Sequence, residues 1–312
     1  MLLRALELLY GWLPMFQTFL GVLIIALSLA LGFAQDEKFS PQVTYENVPY
    51  GNHPHQVIDF WKAEAKDPAP LVVFIHGGGF RGGSHDKVNP RAIKKYLDTG
   101  IHYVSIEYRF LQHARFPAPH EDCIRALQFI RTKAGDWGID KDRIAGYGDS
   151  AGAQLIGYLG WANDFANPKS EDPISRESSR LKAVALLGGQ STVDLNWWVQ
   201  NIPGFEKSFI GELITEKIPM IERRAIFKEI SIINHISFDD PPTFMSYWMR
   251  PEDPIPTDPQ LIWNWTVHHV NFGKSMQDKL KSKGVEVTLN YPNHTEFFED
   301  EASFLIHHLV ER

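Results

Sequence analysis

Ala145-Gly146-Tyr147-Gly148-Asp149-Ser150-Ala151-Gly152-Ala153 decides how the rest of the chain reads. Gly148-Asp149-Ser150-Ala151-Gly152 sets a serine between two glycines at the spacing of a nucleophile elbow. In such a turn a strand gives way to a helix, the serine takes strained backbone angles, and the positions two before and two after must be small. The same pentapeptide also arises as an ordinary Gly-rich turn, so its surroundings carry the decision. Arg143-Ile144-Ala145-Gly146-Tyr147 upstream reads as a short strand and Gly152 to Trp161 as a helix, the context the motif demands.

Working outward, Pro68-Ala69-Pro70 introduces Leu71-Val72-Val73-Phe74-Ile75, an unbroken apolar run expected to be a strand buried on both faces. It ends in His76-Gly77-Gly78-Gly79-Phe80. Consecutive glycines are costly in backbone entropy unless the chain must approach something closely, and their amides are then available to an anion. Gln42 to Tyr50 and Gln56 to Trp61 alternate as antiparallel edge strands. Asn89 to Thr99 reads as a helix stopped at Gly100, Ile101 to Arg109 as a second buried strand, and His120 to Lys133 as a helix.

Beyond the elbow, Leu181 to Gly188 is another apolar strand, and Asn196 to His235 loosens into what we expect to be a helical lid insertion. Pro241 to Trp248 resumes the sheet, the loop Met249 to Pro256 follows, and a helix over Phe272 to Lys283 stops at Gly284. Val285 to Tyr291 is the last strand, with Pro292-Asn293-His294 immediately after it. Strands alternating with helices indicate an α/β fold, a mostly parallel sheet covered on both faces.

The 312-residue chain, 44% hydrophobic and 22% charged, can bury a substantial core. A net charge of −7, with no long run of Lys and Arg, makes nucleic acid a poor partner. Arg4, the apolar run Phe19 to Leu31 and small residues Gly32 and Ala34 before polar Gln35 read as a signal peptide over residues 1–34. The expected product is a secreted or periplasmic protein with one domain over residues 35–312. A membrane anchor is the rival, because Met15 to Ala34 approaches a bilayer-spanning length. Cys123 is the only cysteine, so no internal disulfide forms, and its helical surroundings predict a buried packing residue. No motif supports a metal site, and no cofactor is expected.

Sites in open α/β sheets lie beyond the carboxyl ends of the strands. The loops there carry the glycine run, Ser150, Asp253 and His294, and the order Ser, Asp, His resembles the α/β-hydrolase fold from about Gln56 onward. More narrowly, His76-Gly77-Gly78-Gly79 with Gly148-Asp149-Ser150-Ala151-Gly152 is similar to the hormone-sensitive-lipase-like carboxylesterases, particularly exported bacterial members related to feruloyl and acetyl-xylan esterases. Tyr108-Arg109, Phe116-Pro117 and Ile139 to Ile144 fit the same pattern.

A serine hydroxyl needs a base, and His294, the histidine directly after the last strand, is the candidate. Asp253 would fix the tautomer of that histidine and stabilise its charge. The resemblance assigns the oxyanion donors to the backbone amides of Gly78, Gly79 and Ala151. Each role has rivals: Asp253 is also good turn chemistry, Glu252 and Asp258 lie near it, and His268, His269, His307 and His308 compete with His294. His268 or His269 is expected at most to line the pocket, while Trp197, Trp198 and Trp248 are either substrate contacts or packing. The expected activity is hydrolysis of short acyl or aromatic esters, acetyl or feruloyl groups on polysaccharide among them. A serine peptidase of the same fold, or a non-catalytic binding protein built on it, is the alternative.

Overall fold

The computed structural model describes residues 41–66, 68–206 and 220–310. The leader read over residues 1–34 lies outside them. The fold belongs to the unit Val43–Arg312.

Eight strands form one sheet in the order β1-β2-β4-β3-β5-β6-β7-β8. They are β1 (Tyr45–Pro49), β2 (Val57–Trp61), β3 (Ala69–Ile75), β4 (His102–Ile106), β5 (Ile139–Asp149), β6 (Val184–Leu187), β7 (Thr243–Ser246) and β8 (Val287–Asn290). β1 and β2 are the antiparallel edge that their alternation predicted, and every pairing from β4 to β8 is parallel. The sheet is therefore the mostly parallel one that the strand and helix alternation implied, in the α/β-hydrolase arrangement that the resemblance implied.

The apolar run of β3 explains why helices cover both faces. Successive side chains of a strand point to opposite sides. Leu71, Val73 and Ile75 enter one buried cluster, whereas Val72 enters another. The helices are α1 (Pro90–Leu97), α2 (Ala118–Thr132), α3 (Ala134–Trp137), α4 (Ala151–Trp161), α5 (Leu195–Asn201), α6 (Met220–Ile230), α7 (Pro259–Val267), α8 (Asn271–Ser282) and α9 (Glu301–Val310). The first cluster takes Leu127 and Ile130 of α2, Leu155 and Ile156 of α4, and Phe272 and Met276 of α8. The second takes Ile93 and Tyr96 of α1 with Phe304 and Leu305 of α9. Truncating one such aliphatic side chain to alanine costs about 2–5 kcal/mol.

Cys123 is buried in α2 with a free thiol. Of the expected lid over 196–235, the described parts are α5, α6 and the turn Ile232–Asn234, while residues 207–219 lie outside the described residues. The helix α7, between β7 and α8, was not anticipated, and His268 follows it directly.

Candidate active site

The elbow forms as its sequence requires. Ser150 sits between β5 and α4 with φ 52° and ψ −116°, left-handed for a non-glycine residue. Backbone strain of this kind persists only where the surroundings over-determine it. Its amide donates to the Leu187 carbonyl at 2.8 Å, and its carbonyl accepts from Gln154 at 3.1 Å. A Cβ on Gly152 would collide with the Ile75 carbonyl oxygen at the end of β3, and one on Gly148 would come within 2.5 Å of the Gly152 backbone. The flanking glycines thus let the turn seat against the central strand.

At the end of β3 the glycine run folds back on itself. Gly78 and Gly79 take φ of 112° and 60°. The Gly78 carbonyl accepts from the amides of Arg81 at 3.0 Å and Gly82 at 3.1 Å. The Gly77 amide is bound by the Asp149 carboxylate at 3.2 Å, which ties this loop to the elbow. Burial raises the Asp149 pKa, opposed by the Gly77 amide and by His76 and His268.

Ser150, Gly78, Gly79 and Ala151 line one cavity of about 640 Å³ together with His268. Its remaining wall is largely apolar, with Leu187, Val193, Val267 and the indoles of Trp198, Trp248 and Trp263. Trp198 is fixed from behind by its Nε1–H on the Thr192 carbonyl at 2.7 Å. Trp197 lies instead against Phe272, with ring centroids 5.3 Å apart.

His268, and not His294, is the histidine on the serine. Its Nε2 lies 2.8 Å from Ser150 Oγ, and its Nδ1 lies 2.9 Å from the Asn264 carbonyl oxygen, one turn back in α7. A carbonyl only accepts, so Nδ1 holds the proton and Nε2 presents a lone pair to the serine hydroxyl. Trp248 packs on the ring, centroids 4.7 Å apart. Burial lowers the His268 pKa below its ordinary value, against the Asn264 hydrogen bond and the Asp149 charge. Burial therefore favours the neutral imidazole, whose Nε2 lone pair faces the serine hydroxyl.

His294 is held elsewhere by the turn after β8. Tyr291 and His294 exchange backbone hydrogen bonds at 2.9 and 2.8 Å, with Asn293 in the left-handed region between them. That turn stacks the two rings, 4.5 Å between centroids, and leaves His294 Nε2 3.6 Å from Glu296. Asp253 is not on a histidine nitrogen either. Its carboxylate accepts from the Arg250 amide and guanidinium, both at 2.8 Å, and the Asp253 amide returns a bond to the Arg250 carbonyl at 3.2 Å. The Arg250 amide and side chain hold the Asp253 carboxyl below its usual range. This is the turn chemistry that competed with the triad role in the sequence.

His269, beside His268, turns into the core. Its ring packs edge-on to Trp265, and burial pushes its pKa down to about 4. Among the described residues no cluster of His, Cys, Asp or Glu is arranged to hold a metal ion. The position of His268 had a further signal in the sequence: Asp258-Pro259 is a helix start, and a helix from Pro259 leaves His268 at its carboxyl end.

Comparison with known proteins agrees with this architecture. The BD-FAE family model matches residues 58–249, well over half of the chain. Esterase LipC of Mycobacterium tuberculosis is 25% identical over 208 residues, covering 65% of this chain and 50% of its own length. The chain spans half or less of the length of the curated relatives it matches. A carbohydrate esterase from gut microbiota, in truncated form, superposes with a TM-score of 0.65 at 19% identity, over 87% of this chain and 98% of that one. An acetyl ester-xyloside bifunctional hydrolase from Caldicellulosiruptor lactoaceticus gives 0.61 at 21% identity, over 81% and 85%.

Proposed function

The chain belongs to the BD-FAE family of α/β-hydrolases, and from that premise we propose that it is a serine carboxylesterase acting through a Ser150–His268 pair. The observation that carries the reading is the 2.8 Å contact between His268 Nε2 and Ser150 Oγ inside a cavity. Ser150 Oγ attacks the ester carbonyl as its proton passes to His268 Nε2. The imidazolium then returns that proton to the departing alcohol as the carbon–oxygen bond breaks. Water, deprotonated by the same nitrogen, releases the acid and restores the serine.

The amides of Gly78, Gly79 and Ala151 are assigned to the oxyanion, where loss of one donor costs about 3 kcal/mol of transition-state stabilisation. In a Ser-His-Asp triad the carboxylate selects the tautomer and stabilises the imidazolium. Here the Asn264 carbonyl selects the tautomer. Asp149, whose charge favours protonation of His268, is assigned the stabilisation of the imidazolium at longer range.

The indoles and aliphatic side chains around Ser150 suit a short acyl or aromatic acyl group. An acylated carbohydrate is the proposed alcohol partner, in keeping with the carbohydrate esterases that the fold resembles. Export, through the leader read over residues 1–34, is part of the same reading. Turnover of nitrophenyl acetate, butyrate and feruloyl esters by Ser150→Ala and wild-type protein is the direct test. A variant as active as wild type would exclude Ser150 as nucleophile.

A further inference from the structure

The glycine loop is gripped from underneath by one carboxylate. Glu107, just past the end of β4, is 4% exposed. Its Oε1 lies 3.1 Å from His76 Nε2 and accepts from the Tyr108 amide at 3.0 Å. Its Oε2 lies 3.3 Å from His85 Nδ1 and 3.4 Å from the His85 amide. His76 opens the glycine loop and His85 follows its last glycine, Gly83. A single buried carboxylate therefore binds both ends of the segment.

Between those ends the chain is under unusual constraint. Gly78, Gly79, Phe80 and Gly83 all have positive φ. A Cβ on Gly83 would run into the His76 ring, so the two ends touch as well as sharing a partner. The loop's outer contacts, Leu111 N–H to the Phe80 carbonyl at 2.8 Å and Gln112 to Arg81 at 3.0 Å, hold its middle. Glu107 hydrogen-bonds to both of its ends.

We propose that Glu107 is a positioning residue for the proposed esterase site, a clasp that closes on His76 and His85 and so holds the Gly78 and Gly79 amides toward the cavity. The role rests on the reading of Gly78 and Gly79 as oxyanion donors. Glu107 touches neither the cavity nor Ser150, and acts entirely through the loop.

The geometry of His85 adds a pH dependence. Its Nδ1 faces Glu107, and its Nε2 faces Asn47 Oδ1 at 3.1 Å and Asp59 Oδ1 at 3.5 Å. Both nitrogens meet acceptors, and only the imidazolium can donate from both. Burial opposes that charge, but hydrogen bonds and attraction from Asp59 and Glu107 outweigh it and push His85 up to about 9. Burial likewise opposes ionisation of Glu107, and the hydrogen bonds from His76 and His85 hold its carboxyl well below the usual range. The remaining groups around the carboxylate are His55, 3.5 Å from Oε1, and the phenols of Tyr50 and Tyr108 with the Cys123 thiol, all three pushed up by burial. His85 has its raised value in the folded state, so its contribution is complete below pH 6.5 and is lost as the pH rises through about 9.

The test is Glu107→Gln in the full chain, read by steady-state kinetics on nitrophenyl acetate and by amide hydrogen exchange. The expected result is a kcat lower by about 10- to 100-fold with KM within about twofold, as for weakened oxyanion donation. Exchange should quicken across residues 77–83 and stay unchanged in the elbow helix α4. Wild-type kcat should fall above pH 9, and His85→Gln should be slower at pH 7 and lose that alkaline limb. Should Glu107→Gln fail to fold, His85→Gln decides alone by the same two readouts. Folded variants with wild-type kcat and unchanged exchange over 77–83 would overturn the clasp. If wild-type protein hydrolyses no ester and Ser150 resists a fluorophosphonate probe, the esterase reading fails, while the exchange measurement still decides whether Glu107 holds the loop.

Discussion

The two halves of the sheet's carboxyl edge are built on different terms. Around β3 and β5 the elbow is fixed by backbone packing, Gly152 against the Ile75 carbonyl and the Ser150 amide on Leu187, and the Asp149 carboxylate ties the Gly77 amide to it. Around β7 and β8 short local turns also place side chains on one another, Asp253 onto Arg250 and His294 onto Tyr291, and the histidine on Ser150 arrives from the end of a separate helix. Backbone packing leaves its mark in small residues at fixed spacing. Side-chain closure has many equivalent solutions, and the sequence alone does not choose among them.

The largest effect that can break this contrast is exchange of the histidines. His268→Ala should lower kcat/KM by about 10³-fold, the range of a general base, while His294→Ala should stay within about twofold. Nitrophenyl butyrate kinetics on both variants decides it, and the reverse ranking would return the base to the loop after β8.

Next in size is the backbone-fixed half. Gly152→Ala forces a methyl group into the Ile75 carbonyl and should destabilise the fold by about 3 kcal/mol or more, measured by urea unfolding. A midpoint equal to wild type would mean that the elbow relaxes as the other loops do.

The pH response comes third. His268 must be neutral to accept the serine proton, and burial lowers its pKa, so kcat/KM should fall on the acid side with a midpoint below 6.5. Stability should decline in the same direction. His269 and His120 are held neutral by burial, at about 4 and about 3, so the unfolded chain binds more protons once the pH drops below 6.5. Calorimetry between pH 7 and 4 checks the sign, and a Tm that rises on acidification would refute it.

The smallest effect belongs to Asp253. Asp253→Asn should reduce kcat/KM by less than about threefold, because its carboxylate is spent on Arg250. A loss above about 10³-fold, the scale expected when a triad carboxylate is removed, would place it on the catalytic histidine after all.

The same contrast governs what the sequence could reveal. The unbroken apolar run of β3, the alternation of β1 and β2 and the glycines beside Ser150 made the sheet, its helical cover and the elbow readable. Ser150, Gly78, Gly79 and Ala151 line one cavity. His268 was ranked below His294 because only His294 directly follows the last strand, and the helix that precedes His268 was not expected. In the structure Leu261 and Trp263 in the first part of α7 are exposed and only its end, Trp265 to Val267, is buried, so burial divides the helix along its length and leaves no periodic apolar stripe to read. The strand order that favoured His294 holds in the fold, yet the two-residue turn after β8 folds its ring onto Tyr291.

Cys123 has a use that its packing role conceals. It is the only thiol of the chain, wholly buried in α2, and burial pushes its pKa up, so it is inert toward alkylating and oxidising reagents. A cysteine introduced at a solvent-exposed site, such as Phe297 beside the turn after β8, would then be the single reactive sulfur. The native chain can carry one spectroscopic label wherever it is wanted, with no background cysteine to remove first.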